Sequence, residues 1–227
     1  MGCVISFVNT KGGVGKSFLS TSMAVWLHDE GHKVALIDAD DQRTSSKWLA
    51  DIENQFVEVM TLEEQTEDLR AEELRVRINQ HRKNFDFIIV DTKGSAGLTT
   101  SASVIKSDIA CIPIQPSAAD IWPLENALST VRLSQEVRNG LPIATLILNQ
   151  VDHRDVGAKR IRNLALKYEF AVAETSVKRL RAYRDAPGLR LAPTRTDNKA
   201  NNAAGALVLL FQEIVPAQSN RREVSNA

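Results

Sequence analysis

A glycine-rich segment near the start of the chain, NTKGGVGKS at residues 9–17, lies between two apolar patterns of different periodicity. The run before it, CVISFV at residues 3–8, is typical of a short buried strand. After it, apolar side chains recur at helical spacing, at Leu19, Met23, Trp26 and Leu27. Strand, glycine-rich turn and helix form the setting of a phosphate-binding loop, in which backbone N–H groups and a helix N-terminus surround an anion. The alternative is an ordinary glycine turn with incidental lysines, and the flanking elements favour the loop.

Two lysines and a serine indicate the chemistry of this loop. Lys16 is placed to reach the β- and γ-phosphates of a nucleotide, and the Ser17 hydroxyl is placed to coordinate Mg²⁺. The pattern departs from G-x-x-x-x-G-K-[ST], because Thr10 replaces the first glycine and a second lysine, Lys11, follows it. Since Lys16 already occupies the approach to its own γ-phosphate, we interpret Lys11 as pointing outward, towards a nucleotide held by a second copy.

The segment from Lys11 to Ser17 matches the signature K-G-G-x-G-K-[ST], and here the chain resembles the ParA/MinD family of deviant Walker A ATPases. The likeness is to small ParA-type partition ATPases that lack an N-terminal DNA-recognition domain. The resemblance implies ATP and Mg²⁺ as cofactors, with catalytic roles for Lys11 and Lys16. It also implies nucleotide contacts along the loop, from Lys11, Gly12, Gly13, Val14, Gly15, Lys16, Ser17 and Phe18.

A second apolar run, residues 33–37, ends in the acidic sequence DADDQ. Alternation at the end of a strand puts Asp38 and Asp40 on the same side, beside the loop that follows the first strand. The resembled family has D-x-D-x-Q here, usually with a proline where this chain has Asp41. The resemblance implies that Asp38 lies near the Mg²⁺ shell and that Asp40 positions or activates the attacking water. Two surface acids that cap the following helix are the alternative.

The run FDFIIVD, residues 85–91, predicts a buried parallel strand that closes on a carboxylate. This is the Walker B arrangement, in which Asp91 would hold Mg²⁺ through a water molecule. The family often continues with D-T-P-P. This chain continues with Thr92, Lys93 and Gly94, so the contacts of the loop are expected to differ.

Two more apolar runs, residues 109–116 and 143–148, predict strands whose ends carry candidate nucleotide contacts. Pro116 resembles part of the segment that senses nucleotide at the dimer interface of small ParA proteins. Asn149 can hydrogen-bond an adenine edge through both its amide donor and its carbonyl acceptor, as the family's asparagine does. Turn chemistry explains an asparagine at a strand end almost as often, so that alternative stays open.

Alternating strand and helix patterns predict an α/β fold, a doubly wound and mostly parallel sheet with helices on both faces. Ligands of such sheets bind at the carboxyl ends of the strands, and five candidates fall there: Asp38, Asp40, Asp91, Pro116 and Asn149. We expect one ATPase domain over residues 1–215 and a polar, flexible tail over 216–227. A charged helix is predicted over 63–82 and a final helix over 203–214. Their apolar packing side chains are expected to be Leu69, Leu74, Val76, Ile78, Leu207, Leu209, Leu210 and Phe211.

Charge is balanced overall, with 28 basic and 28 acidic residues, but it is unevenly distributed. Residues 151–200 hold twelve Lys/Arg against six Asp/Glu, which is expected to create a face that attracts phosphates. Within them, residues 177–186 resemble the R-x-A-Y-x-E-A segment of ParA proteins, and we interpret the basic residues as projecting from one short helix. The resemblance implies DNA contacts from Lys178, Arg179, Arg181 and Arg184. A solvated helical face is the alternative.

By this resemblance the chain is a slow, partner-stimulated ATPase of the cytoplasm and nucleoid. It would dimerise with ATP, bind nonspecific DNA, respond to a ParB-like or cargo-linked activator, and not bind membranes. One rival is a MinD-like membrane-surface switch, although the tail lacks the apolar-basic pattern of a membrane anchor. A second is an ATP-dependent metabolic enzyme of the same superfold. Cys3 and Cys111 are expected to be buried free thiols, which disfavours an iron–sulfur reductase.

Overall fold

The computed structural model describes residues 1–117, 121–152, 156–195 and 203–215. Within these ranges the strands β1 to β7 span Cys3–Phe7, Val34–Asp38, Glu58–Thr61, Phe87–Asp91, Ile109–Ile114, Ile143–Leu148 and Ala171–Val172. They form one sheet in the order β3-β2-β4-β1-β5-β6-β7, and every neighbouring pair is parallel. The predicted doubly wound parallel sheet is therefore confirmed.

The helices α1 to α8 span Lys16–Asp29, Thr44–Asp51, Glu67–His81, Leu98–Lys106, Ile121–Val137, Val156–Lys167, Arg181–Asp185 and Ala203–Ile214, and Pro193–Arg195 forms a 3₁₀ turn. The helices cover both faces of the sheet. Both faces are apolar, because successive side chains along each strand point to opposite faces. Ile5 and Phe7 of β1 face a core that includes Leu19 of α1 and Phe211 of α8, whereas Val4 faces the core that includes Leu74 of α3.

Three helices differ in detail from the sequence predictions. Helix α3 begins at Glu67, where Thr66 caps it, so it is shorter than the predicted 63–82. Its buried side chains are Ala71, Leu74 and Ile78, and the predicted packing residues Leu69 and Val76 are exposed. Leu209 of α8 is also exposed, and the cause is the same: it lies off the stripe that spacings of three and four residues create. Lys178 precedes α7 and pairs with Val151 in an isolated bridge, so the prediction that it shares one helix with Arg181 and Arg184 is wrong.

Other predictions concern thiols, membranes and the tail. Cys3 and Cys111 are buried free thiols, as predicted, and burial raises the pKa of Cys111. In the part of the chain that the structure describes, no helix has the length and apolar character that crossing a bilayer requires. The predicted tail, 216–227, lies outside the described residues.

The strand order fixes where a ligand can bind. Strand β1 lies between β4 and β5. The chain runs from β1 to β2 on the β4 side and later from β4 across β1 to β5, so the direction of the connections reverses at β1. A crevice forms at such a switch point, at the carboxyl ends of the strands. There the last residues of three adjacent strands, Phe7, Asp38 and Asp91, lie in register.

Candidate functional site

The glycine-rich segment connects β1 to α1 and follows a tight path that requires glycine at one position. Gly15 has φ +97° and directly precedes α1. A Cβ atom at Gly15 would lie only 2.1 Å from Nδ2 of Asn149. Positive φ and this close approach both exclude a side chain. The segment is therefore a loop that leads directly into the N-terminus of α1. This is the arrangement that binds phosphate.

Side-chain amides hold the carbonyl groups of this loop. Nδ2 of Asn149 donates to the Val14 carbonyl oxygen at 2.7 Å, and Nε2 of Gln115 and of Gln150 donate to the Gly13 carbonyl oxygen at 2.7 and 3.1 Å. Because the C=O and the next N–H of a peptide unit point in opposite directions, these bonds turn loop N–H groups the other way, as an anion cradle requires.

Gln115 and Gln150 were not among the site residues predicted from the sequence, although their positions at strand ends indicated such a role. Gln115 directly follows β5, and Gln150 lies two residues beyond the end of β6, at the same rim as the other candidates. Asn149 is buried and its amide nitrogen is committed to the loop. Its contact with an adenine base stays a prediction.

Lys16 is buried at the first residue of α1, and its Nζ donates to the Lys11 carbonyl oxygen at 3.0 Å. Burial lowers the pKa of Lys16, while the nearby carboxylates of Asp91 and Asp40 oppose that shift. Lys11 is half-buried, and its backbone N–H donates to Oδ1 of Asn9 at 3.0 Å. A buried ammonium group that bonds one loop carbonyl and has two carboxylates nearby is suited to exchange that bond for bonds to phosphate oxygens.

Asp38 and Asp91 are buried neighbours at the ends of β2 and β4. Oδ1 and Oδ2 of Asp38 accept backbone N–H groups of Asp40 and Ser46, at 3.2 and 2.9 Å. Among the residues that the structure describes, neither carboxylate oxygen of Asp91 has a hydrogen-bond partner. Burial, with the charge of Asp38, raises the pKa of Asp91 to about 7, and the nearby Ser17 hydroxyl partly offsets the rise without making a bond of ordinary geometry.

These residues fit Mg²⁺. It is a hard cation that takes oxygen ligands, commonly one or two carboxylates together with waters and substrate phosphates. The Ser17 hydroxyl lies beside Asp91, and the unpartnered, buried oxygens of Asp91 need a cation or a donor to offset their desolvation. Asp40, with Oδ1 accepting the Gln42 N–H at 3.0 Å, stands at the rim of the same site.

A cavity of about 550 Å³ opens beside Gly15. Its walls include Phe18, Trp48 and Tyr183, and Phe18 is stacked on Trp48 with 6.0 Å between ring centroids. The volume is in the range of small-molecule and cofactor sites. Pro116 is not among the residues that line this cavity. Its carbonyl oxygen lies against α6, where a Cβ at Gly157 would approach it to 2.1 Å.

The four basic residues that the sequence assigned to DNA also border this cavity: Lys178, Arg179, Arg181 and Arg184. Arg181 and Arg184 project into solvent, with 85% and 75% of their side chains exposed. Their hydrogen bonds to Asp185 hold the pKa of that carboxyl below its usual value. DNA contact by these residues stays a prediction.

A parallel sheet with a glycine loop after its central strand and buried carboxylates at the neighbouring strand ends defines the class of P-loop nucleotide-binding proteins. Residues 5–188 match the CobQ/CobB/MinD/ParA nucleotide binding domain. The chain belongs to this family, and its resemblance to the ParA/MinD ATPases is confirmed.

Individual relatives extend over nearly the whole chain. It is 25% identical over 216 residues to the maintenance of carboxysome distribution protein A of Halothiobacillus neapolitanus, covering 94% of this chain and 96% of the relative. It is 26% identical to the sporulation initiation inhibitor protein Soj of Bacillus subtilis, covering 82% and 88%. The septum site-determining protein MinD of Pyrococcus horikoshii OT3, solved with Mg-ADP, shares the fold with a TM-score of 0.73 and 20% identity, covering 94% and 96%. The family is thus one of ATPases that includes positioning proteins.

Proposed function

We propose that this chain is an ATP-dependent dimerising switch that binds nonspecific DNA and is reset when a partner stimulates ATP hydrolysis. The pair of lysines in the phosphate loop carries the proposal. Lys16 is buried in the loop, where its ammonium group reaches the Lys11 carbonyl oxygen. Because Lys16 serves its own loop, we assign the Lys11 side chain to the triphosphate of a second copy. Dimerisation would then depend on which nucleotide is bound.

Hydrolysis is assigned to residues at the rim of the sheet. Ser17, Asp38 and Asp91 would hold Mg²⁺, which when bound neutralises charge on the phosphates. Lys16 would bind phosphate oxygens, and Asp40 would orient the attacking water. The position of Asp40 supports this role, because its carboxylate is near enough to Lys16 to influence the pKa of that ammonium group.

DNA binding is assigned to the exposed basic residues at the cavity mouth, chiefly Arg181 and Arg184. Exposed cations bind phosphate without reading sequence, and their binding weakens as salt rises. Since the same segment borders the cavity beside the phosphate loop, bound nucleotide and bound DNA can influence each other over a short distance.

The test measures retention of the protein on random-sequence double-stranded DNA with ATP, ADP or no nucleotide, across salt concentrations. We expect retention with ATP that falls steeply with salt, and little retention with ADP. Retention that is equal in ATP and ADP would remove the switch from this account.

The cellular role of the switch is proposed from its relatives, whose names refer to carboxysome distribution and to sporulation. A plasmid, a chromosome or a protein assembly would be the cargo, and a ParB-like or cargo-linked protein the activator. A fluorescent fusion is expected to lie over the nucleoid, and its Lys16→Ala variant to be diffuse. A Lys16→Ala fusion with unchanged localisation would contradict this.

A MinD-like membrane-surface switch is the second candidate, favoured by the fold shared with MinD. Co-sedimentation with anionic phospholipid vesicles distinguishes the two. ATP-dependent sedimentation with vesicles, without ATP-dependent DNA retention, would favour the membrane.

A further inference from the structure

Two charged side chains from different loops meet in space. Asp41 lies in the loop after β2, and Lys93 lies in the loop after β4. Nζ of Lys93 donates to Oδ2 of Asp41 at 2.7 Å, across 52 residues of sequence. The two residues therefore form one contact between the loops that follow β2 and β4, the strands that end in the proposed Mg²⁺ ligands Asp38 and Asp91.

A third residue anchors the Asp41 side of this contact. The guanidinium of Arg70, on α3, lies 3.0 Å from Oδ1 of Asp41 and also donates to the Ala39 carbonyl oxygen at 3.1 Å. Only 12% of the Arg70 side chain is exposed, so its position is fixed by packing. Arg70 thus holds both the backbone and the carboxylate of the loop that carries Asp40.

The Lys93 side of the contact is anchored to the phosphate loop. The Thr92 hydroxyl donates to the Phe7 carbonyl oxygen at 2.7 Å, which fixes the start of the loop after β4. Gly94 packs directly on the phosphate loop, since a Cβ at Gly94 would lie 3.0 Å from both Cα and N of Gly12. An uninterrupted series of contacts therefore runs from the phosphate loop through Lys93 to the Asp40 loop.

We propose that Lys93 and Asp41 are positioning residues, which hold the loop bearing Asp40 at a fixed distance from the phosphate loop during hydrolysis. This inference rests on the proposed ATPase activity and deepens it. The Asp40 carboxylate accepts the Gln42 N–H within its own loop, and the N–H of the preceding Ala39 donates to the Asp91 carbonyl oxygen at 2.9 Å. Beyond Asp40, the ion pair adds a side-chain contact between this loop and the loop that packs on the phosphate loop.

Exposure determines how such a pair acts. The Lys93 and Asp41 side chains are 42% and 46% exposed, and exposed ion pairs contribute little to folding stability. A small displacement of a catalytic group nevertheless lowers the rate. Loss of the pair should therefore lower kcat while KM and the melting temperature stay near their wild-type values. The Lys93 hydrogen bond lowers the pKa of Asp41, with Arg70 and Arg43 adding to the effect, which keeps that carboxylate ionised at neutral pH.

The experiment is a double-mutant cycle on the full chain with Asp41→Asn, Lys93→Gln and the double variant. Steady-state ATP hydrolysis gives kcat and KM, calorimetry gives ADP affinity, and thermal unfolding gives stability. We expect each single variant to lower kcat about threefold to tenfold, with KM and ADP affinity within about twofold of wild type. The double variant should be no slower than the slower single variant, because the two residues act as one unit.

Two further variants separate positioning from general effects. Lys93→Arg keeps the charge and should keep most of kcat. Glu72→Gln removes a similarly exposed ion pair, Arg75–Glu72 at 2.9 Å on α3, and should leave all four quantities unchanged.

The outcomes distinguish this inference from the function on which it rests. A wild-type chain that hydrolyses ATP while both single variants match it would overturn the inference alone, as would losses of kcat that multiply in the double variant. A fall in melting temperature that accounts for the lost activity would assign a structural role instead. A wild-type chain that hydrolyses no ATP would overturn both proposals.

Discussion

The phosphate loop and the basic segment at residues 178–184 border the same cavity but are held in opposite ways. The carbonyls of the loop are held by amides from two strand ends, and Lys16 of the loop is buried. Arg181 and Arg184 of the segment extend into solvent and contact Asp185, on their own helix. A site that is fixed before its ligand arrives acts through geometry, whereas exposed cations act through charge and are sensitive to salt. Substitutions should therefore have large effects in the loop and graded effects in the segment.

The largest effect is expected from Lys16→Ala. It removes the buried cation of the loop and should reduce ATP hydrolysis at least about a hundredfold. Phosphate release and ATP calorimetry measure the loss. The exposed Lys83, replaced by alanine, is the control and should be neutral. Near-normal hydrolysis by Lys16→Ala would remove the difference between the two regions.

Asn149→Ala tests whether the amide holds the loop or reads the base. Loss of the bond to the Val14 carbonyl should weaken nucleotide binding about tenfold, and equally for ATP and GTP, because the loop contacts phosphates common to both. Competition binding with the two nucleotides measures this. A loss confined to ATP would instead assign the amide to adenine recognition.

Asp91→Asn tests the buried carboxylate through pH. In the folded chain burial raises the pKa of Asp91 to about 7, above the ordinary aspartate value of 3.8, so folding favours the protonated form. Its contribution to stability is therefore lost as pH rises from about 4 to above 7, and Asp91→Asn should be more stable than wild type at pH 8 by about 1–4 kcal/mol. Denaturant unfolding without Mg²⁺ at pH 5 and pH 8 provides the measurement. A variant that is destabilised equally at both pH values would contradict the assigned cause. ATP hydrolysis is measured separately for wild type and for Asp91→Asn, and the variant should be inactive.

The smallest effect is expected in the basic segment. Replacing both Arg181 and Arg184 by glutamine should weaken DNA retention several-fold and lower the slope of log affinity against log salt by roughly 0.9 per lost phosphate contact. Melting temperature and ATP affinity should be unchanged, because the side chains are exposed. An unchanged salt slope would remove these arginines from the DNA surface, and a fall in ATP affinity would assign them to nucleotide binding in the cavity that they border.

Local sequence patterns were sufficient for the sheet and for the position of the loop. Apolar runs end in Asp38, Asp91 and Asn149, and parallel strands bring those ends to one rim whatever the intervening helices do. The direction of a side chain at that rim is a different matter. The amide of Asn149 faces Val14, 135 residues away in sequence, and no periodic pattern encodes that contact.

The misjudged residues have two physical reasons. Leu69 is exposed because it lies off the apolar stripe of α3, whereas Lys178 lies outside α7 and pairs with Val151. The pair of Asp41 and Lys93 likewise joins two loops that are adjacent only in the folded sheet. The bridge and the ion pair are tertiary contacts between distant segments, which outweigh local propensity.

The Lys11→Ala variant tests the central claim most directly. Sedimentation measures the mass of the particle in solution, once with ATP and Mg²⁺ and once with ADP. Wild type is expected to double its mass with ATP and Mg²⁺ but not with ADP. The variant should remain a monomer in both nucleotides while it still binds ATP with nearly wild-type affinity, because Lys16 is intact. A Lys11→Ala chain that doubles its mass with ATP as wild type does would contradict the assignment of this lysine to the second copy.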